Sequence, residues 1–284
     1  MTKKLKNQFA IVTGGARGVG KFIIKKLINE GASVVICSRT EKEIDKTCKE
    51  IDPKRKVLFG IKADISIIED CKKVIDFAHK LFGTIDILVN NAAIYGPIGL
   101  FETNLPNEWK RTIEVNFLGA VFCTQYMVPI MKKNKKGKII SIVGGGVGGI
   151  NPIERFSAYV SSKNAIAGFM EVIAKELQDW NIQVNSVSPG VMKTQLVEYL
   201  LSQGRAKAGD EMYNQALNTQ KYGGDDPRKI ADMVAYLASG ESDHLTGRIL
   251  SAKRETIARL NKIKVAQKNL FTLRRIDQIL FEEK

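Results

Sequence analysis

Histidine and cysteine are scarce in this 284-residue chain: His79 and His244 on one side, Cys37, Cys48, Cys71 and Cys123 on the other, with no CxxC pairing. So few ligands at such spacings exclude a histidine- or cysteine-built metal centre. Cysteines inside segments that read as buried strand or helix predict reduced thiols in a cytoplasmic protein, not a disulfide framework. No apolar run approaches the roughly 18 residues of a transmembrane helix, and the MTKKLKNQFAIV start lacks a signal-peptide core, so no membrane span is expected. Acid is also under-represented, 30 Asp plus Glu against 44 Lys plus Arg, a net charge of +14. Three stretches, 1–6, 132–138 and 252–284, carry +13 of that charge and leave the body nearly neutral. Their aromatic content is almost confined to Phe271 and Phe281, which argues against a nucleic-acid groove.

What is present is a rhythm. Phe9–Thr13, Ser33–Cys37, Val57–Ile61, Ile85–Asn90, Ile139–Val143 and Ile182–Val187 read as strands apolar on both faces. Helical patterns such as Lys21–Asn29, closed by Gly31, and Ile67–Phe82, closed by Gly83, lie between them. The alternation predicts one α/β domain over residues 1–251, a doubly wound parallel sheet with helices on both faces. Residues 192–226, rich in glycine, stand outside the rhythm and read as a substrate lid. Residues 252–284 form a basic extension. Its Ile257, Leu260, Ile263, Leu270, Leu273, Ile276 and Leu280 recur at near-helical spacing, suiting a surface helix packed on its own body or another subunit, or a membrane- or partner-docking helix.

The first strand runs directly into Thr13-Gly14-Gly15-Ala16-Arg17-Gly18-Val19-Gly20 and a helix. A glycine turn there lets backbone approach a pyrophosphate, whose charge faces the N–H groups of the helix start. TGxxxGxG at this spacing, followed by Asp64, Asn90-Asn91-Ala92-Ala93, Asn116, Tyr159-Val160-Ser161-Ser162-Lys163, Asn185 and Pro189-Gly190-Val191-Met192-Lys193-Thr194, resembles the short-chain dehydrogenase/reductase family across roughly residues 7 to 250. The resemblance implies a Rossmann-type fold. It implies cofactor contacts from Thr13, Gly14, Arg17, Gly18, Val19, Gly20, Ser38, Arg39, Asp64, Ile65, Asn90, Ala92, Tyr159, Lys163, Pro189, Gly190, Val191 and Thr194, and a homodimer or homotetramer. No acid precedes Glu41 in Ser38-Arg39-Thr40, so nothing there accepts a ribose 2′-hydroxyl. Arg39 and Arg17 instead suit a 2′-phosphate, which predicts NADP(H) with a hydrogen bond from Ser38.

Tyr159 and Lys163 share one helix face, and an ammonium beside a phenol lowers its pKa. The resemblance implies hydride transfer between nicotinamide and a small-molecule carbonyl or secondary alcohol. Tyr159 would pass the proton, Lys163 would bind the nicotinamide ribose, and Asn116 would hold a water linking Lys163 to solvent. Relatives carry a serine near the end of the fifth strand. Alignment of Lys138-Ile139-Ile140-Ser141-Ile142-Val143-Gly144-Gly145-Gly146 puts Val143 at that position, with Ser141 displaced by roughly 6.5 Å along the strand. Three readings stay open: Ser157 or a backbone N–H from Gly144–Gly149 substitutes, the enzyme is slow, or the chain binds NADP without turnover as a sensor or scaffold. Phe101, Trp109, Met192, Leu196, Tyr199 and Leu200 are candidates for an apolar pocket. The resemblance allows 3-oxoacyl, steroid-like, sugar and polyol substrates. The usual Val-Asp-Gly-Gly finish is replaced by Ser251-Ala252-Lys253-Arg254.

Overall fold

A computed structural model describes residues 3–144, 146–147, 153–263 and 271–273 of the chain. The strands are β1 (Phe9–Thr13), β2 (Ser33–Ser38), β3 (Leu58–Lys62), β4 (Ile87–Asn90), β5 (Gly137–Ile142), β6 (Ile182–Ser188) and β7 (Arg248–Ser251). All pair in parallel, in the order β3-β2-β1-β4-β5-β6-β7. This is the expected doubly wound sheet with one strand more than the apolar runs predicted, because β7 has only four residues, with Ile249 and Leu250 flanked by Arg248 and Ser251.

Side-chain alternation splits the sheet between two cores. Ala10, Val12, Val34 and Ile36 enter one, covered by α1 (Gly18–Asn29), α2 (Glu41–Ile51) and α10 (Pro227–Ala238). Ile11, Val35 and Cys37 enter the other, under α3 (Ile68–Phe82), α5 (Gly119–Asn134) and α6 (Ser157–Glu176). A period of two with both faces covered explains why the inner strands β1, β2 and β4 read as almost continuously apolar. The four cysteines are buried thiols.

Helix α1 starts at Gly18, three residues before the predicted Lys21, because the glycine turn itself enters the first helical turn. An eight-residue α4 (Pro106–Ile113), a π-helical turn (Glu114–Leu118) and α5 form one continuous run. That run is long and apolar enough to cross a membrane by length and composition. Its inner residues Cys123, Met127 and Met131, however, are fully buried in the second core. The expected lid is a helical layer of α7 (Gln195–Gln203), α8 (Arg205–Ala208) and α9 (Asp210–Tyr222), closed by an antiparallel bridge between Met192 and Gly224.

Among its described residues, 252–263 and 271–273, the extension shows one short helical turn. This turn, α11 (Ile257–Leu260), buries Leu260 completely, and Ile257, Ile263 and Phe271 pack on the first core. The Ile249 N–H of β7 donates to the Phe271 carbonyl at 2.7 Å, so the tail pairs with the sheet's edge strand. Leu270, Ile276 and Leu280 lie outside the described residues. The basic run before β5 is likewise partly structural: Lys138 is buried, donates to Asp243, and burial lowers its pKa.

Candidate active site

The strand order reverses between β1 and β4, and a cavity of about 1000 Å³ opens beyond their carboxyl ends. This is where an open α/β sheet leaves room for a ligand. At one end lies the glycine turn. Gly14 is left-handed at φ +62°, and a Cβ there would stand 2.8 Å from Ala92 Cα, so only glycine lets the first and fourth strand ends meet. Gly18, at φ +54°, faces open cavity, with Thr194 carbons no closer than 3.8 Å to its Cβ direction. Arg17 caps α1 without a side-chain hydrogen bond, and no acid lies in the first turn. The helix start therefore presents unpaired N–H groups to that space, which fits a pyrophosphate.

Ser38 and Arg39 line the cavity at the end of β2. Arg17 pairs loosely with Glu43 at 3.4 Å, whereas Arg39 is exposed and has no ion-pair partner among the described residues. Asp64 and Ile65 line the same wall. Burial pushes the Asp64 carboxyl up, but hydrogen bonds from Ser66 and the Arg111 guanidinium outweigh it and hold its pKa below the ordinary value.

Of the predicted cofactor contacts, Gly14, Arg17, Gly18, Val19, Ser38, Arg39, Asp64, Ile65, Ala92, Tyr159, Lys163, Pro189 and Thr194 border the cavity. Thr13, Gly20, Asn90, Gly190 and Val191 do not. The Thr13 hydroxyl instead accepts the Asn91 and Ala92 N–H groups, tying β1 to β4. Gly20 packs against the Gly14 carbonyl. Asn90 turns into the second core toward Thr124 and Ser141, and its neighbour Asn91 takes the cavity position. Gly190 and Val191 face Asp225, which accepts the Val191 N–H at 2.8 Å.

Tyr159 and Lys163 lie one helical turn apart in α6, both buried at the cavity floor. Lys163 Nζ donates to the Ile142 carbonyl at 2.8 Å and stands 5.8 Å from the Tyr159 ring centroid. Burial lowers Lys163 to about 7. The Tyr159 phenol is not lowered as the pairing suggested: burial, reinforced by nearby Tyr95, raises it above its ordinary value. Tyr159 is therefore a neutral O–H, a proton donor in waiting.

The position facing that hydroxyl is not Val143. A Cβ on Gly144 would overlap Tyr159 Oη. Val143 is 1% exposed and, although it borders the cavity, belongs to the second core, its N–H still bonded to the Val187 carbonyl. The alignment therefore misplaces the serine position by one residue, because the backbone leaves strand geometry after Ile142 and strict alternation ends there. Ser141 is fully buried against Asn90 and Met170. Ser157 lies outside the cavity lining and accepts the Trp109 indole N–H. Neither serine supplies the missing hydroxyl.

Asn116 sits in the π-helical turn, 1% exposed and away from the cavity lining. Its Oδ1 accepts the Ile94 N–H at 2.8 Å, and its Nδ2 donates to the Ile94 carbonyl and the Ser162 hydroxyl, both at 2.9 Å. Both amide hydrogens are thus engaged, and the side chain clamps the loop after β4 to α6. Of the apolar-pocket candidates, Leu196 and Tyr199 line the cavity; Met192 and Leu200 are core, and Phe101 is 72% exposed. The Tyr199 hydroxyl of α7 donates to the Gly96 carbonyl at 3.2 Å, closing the lid onto the same loop. Sequence reasoning missed Tyr95 and Arg111, which line the cavity from segments with no motif of their own.

The sequence profile described as short chain dehydrogenase matches residues 8–204. Dehydrogenase/reductase SDR family member 4 of Sus scrofa is 30% identical over 258 residues, spanning 91% of this chain and 90% of that protein. Diacetyl reductase [(S)-acetoin forming] of Staphylococcus epidermidis is 30% identical over 246 residues, 84% of this chain and 94% of that protein. The crystal structure of NAD+-bound xylitol dehydrogenase superposes with a TM-score of 0.78 at 24% identity, covering 88% of this chain and 98% of the other. With the glycine turn, the Tyr159–Lys163 floor and the sheet order in place, this chain belongs to the short-chain dehydrogenase/reductase family, carbonyl–alcohol oxidoreductases that use a nicotinamide cofactor.

Proposed function

We propose that the chain is an NADPH-dependent reductase that converts a small-molecule ketone to a secondary alcohol, in the cytoplasm and as a homo-oligomer. The observation that carries this reading is the buried Tyr159–Lys163 pair bordering the cavity beside the glycine turn. The exposed Arg39, without an ion-pair partner among the described residues and with no acid among residues 38–40, supports the phosphorylated cofactor.

When bound, the cofactor supplies the hydride. Gly14, Gly18 and the start of α1 would hold its pyrophosphate, Ser38 and Arg39 the 2′-phosphate, and Lys163 the nicotinamide ribose. Tyr159 protonates the carbonyl oxygen, and Lys163, bonded to the Ile142 carbonyl beneath it, limits where that phenol can move. Ile94, Tyr95, Leu196 and Tyr199 supply apolar surface to the substrate end of the cavity, and Asn107, Glu108, Gln195 and Glu198 supply polar groups beside it.

The test is NADPH consumption with 2,3-butanedione, cyclohexanone, acetophenone and a 3-oxoacyl thioester, compared with NADH. Turnover with at least one ketone and a preference for NADPH is the expected result. A second reading, a silent NADPH-binding sensor, is favoured by the glycine at position 144, which removes a hydrogen-bond donor relatives rely on. NADPH binding without turnover of any of these carbonyls would select it.

A further inference from the structure

Reduction of a ketone leaves charge on one oxygen, and a lone donor stabilises it poorly; removing one preorganised donor typically costs on the order of 100-fold or more in rate. Tyr159 is one donor. Gly144, where a hydroxyl could have faced the same oxygen, has no side chain. Ser141 is bonded to Met170 in the core, Ser157 lies outside the cavity lining, and the Asn91 amide is bonded to the Thr13 and Gly14 carbonyls.

We propose that the Tyr95 hydroxyl is the second hydrogen-bond donor to the carbonyl oxygen that Tyr159 protonates, in place of the serine this chain lacks. The inference rests on the reductase reading above. Tyr95 lines the cavity, and its ring meets the Tyr159 ring edge-on, with centroids 4.9 Å apart at 72°. Phe156 braces it from another side at 5.4 Å. The backbone on both flanks is tethered: Asn116 brackets Ile94 through N–H and carbonyl together, and Tyr199 holds the Gly96 carbonyl. A loop residue is thereby fixed like one on a strand, as a preorganised donor requires. The Tyr95 hydroxyl has no hydrogen-bond partner among the described residues, and burial raises its pKa, so the phenol keeps its proton.

Tyr95 transfers nothing. The carbonyl carbon gains hydride from NADPH, the oxygen gains the Tyr159 proton, and NADP+ and the secondary alcohol leave; the Tyr95 O–H bond persists throughout. Gly144 and Tyr95 are complementary on this view, since the space a side chain would have taken at 144 is held by the Tyr159 hydroxyl, and the second donor arrives from the β4 loop.

The experiment uses the full chain, NADPH and the ketones named above, with Tyr95→Phe and Tyr95→Ala. Tyr95→Phe keeps the ring and removes only the hydroxyl, so it is expected to lower kcat about 100-fold while KM and NADPH affinity stay within about threefold. Tyr95→Ala removes ring and hydroxyl and is expected to lower kcat at least as far. If Tyr95→Phe keeps kcat within about twofold of an active wild type, Tyr95 is a packing residue and the inference falls while the reductase reading stands. If wild-type protein binds NADPH but reduces none of the ketones, the reductase reading falls and takes this inference with it.

Discussion

The two walls of the cavity are built on different principles. The cofactor wall is built from short local segments at successive strand ends: Gly14 to Val19 form one turn, Ser38 and Arg39 one strand end, Asp64 and Ile65 another, and its polar groups are backbone N–H groups and a few cations. The substrate wall is assembled across the chain. Asn116 grips Ile94 from 22 residues away, and Tyr199 reaches Gly96 from 103 residues away. A wall of local segments tolerates changes elsewhere, whereas an assembled one transmits a displacement in any member to the reacting atoms.

That contrast can be broken at its sharpest point by Tyr159→Phe, which should cut kcat on the order of 10³-fold while leaving NADPH affinity intact, read by steady-state kinetics and fluorescence titration. Equal losses in both would mean that the walls are not separable. Next in size, Gly144→Ala places a methyl where Tyr159 Oη now lies. Displacing a catalytic atom by about 1 Å can cost on the order of 100-fold, so a similar fall in kcat with unchanged NADPH binding is expected. On the other wall, Arg39→Ala should raise the NADPH Kd about 10-fold or more and leave NADH binding unmoved, because one charge-assisted contact to a phosphate is removed. An equal effect on both cofactors would make Arg39 a general electrostatic contributor. Smallest in activity is Val143→Ser: kcat should not rise by as much as about twofold, while stability falls by about 1–3 kcal/mol as a hydroxyl enters an apolar core. A large gain in kcat would return the serine position to Val143.

The legibility of each wall follows the same division. The glycine turn was readable because its requirement is local: φ values near +60° and a backbone with nothing on it depend on neighbouring residues alone. Asn90 and Asn91 were adjacent candidates that the sequence could not separate, since which one faces the crevice depends on where β4 ends. Gly144 was misread for a related reason. A strand's alternation can be extrapolated only while the strand lasts, and β5 stops at Ile142. Tyr95 had no signal at all; a tyrosine in a glycine-containing loop becomes a site residue only when Asn116 and Tyr199 fix the loop beside α6.

By itself the sequence determined the parallel sheet, the glycine turn at a helix start, and the Tyr159–Lys163 pair on one helix face, because each depends on periodicity or on contiguous residues. Tertiary structure alone decided which strand-end residue faces the Tyr159 hydroxyl, that the phenol is buried and its pKa raised by desolvation, that Phe271 bonds back to β7, and that a second tyrosine stands beside the first. Those outcomes depend on desolvation and on distances between segments far apart in the chain, quantities that no local pattern encodes.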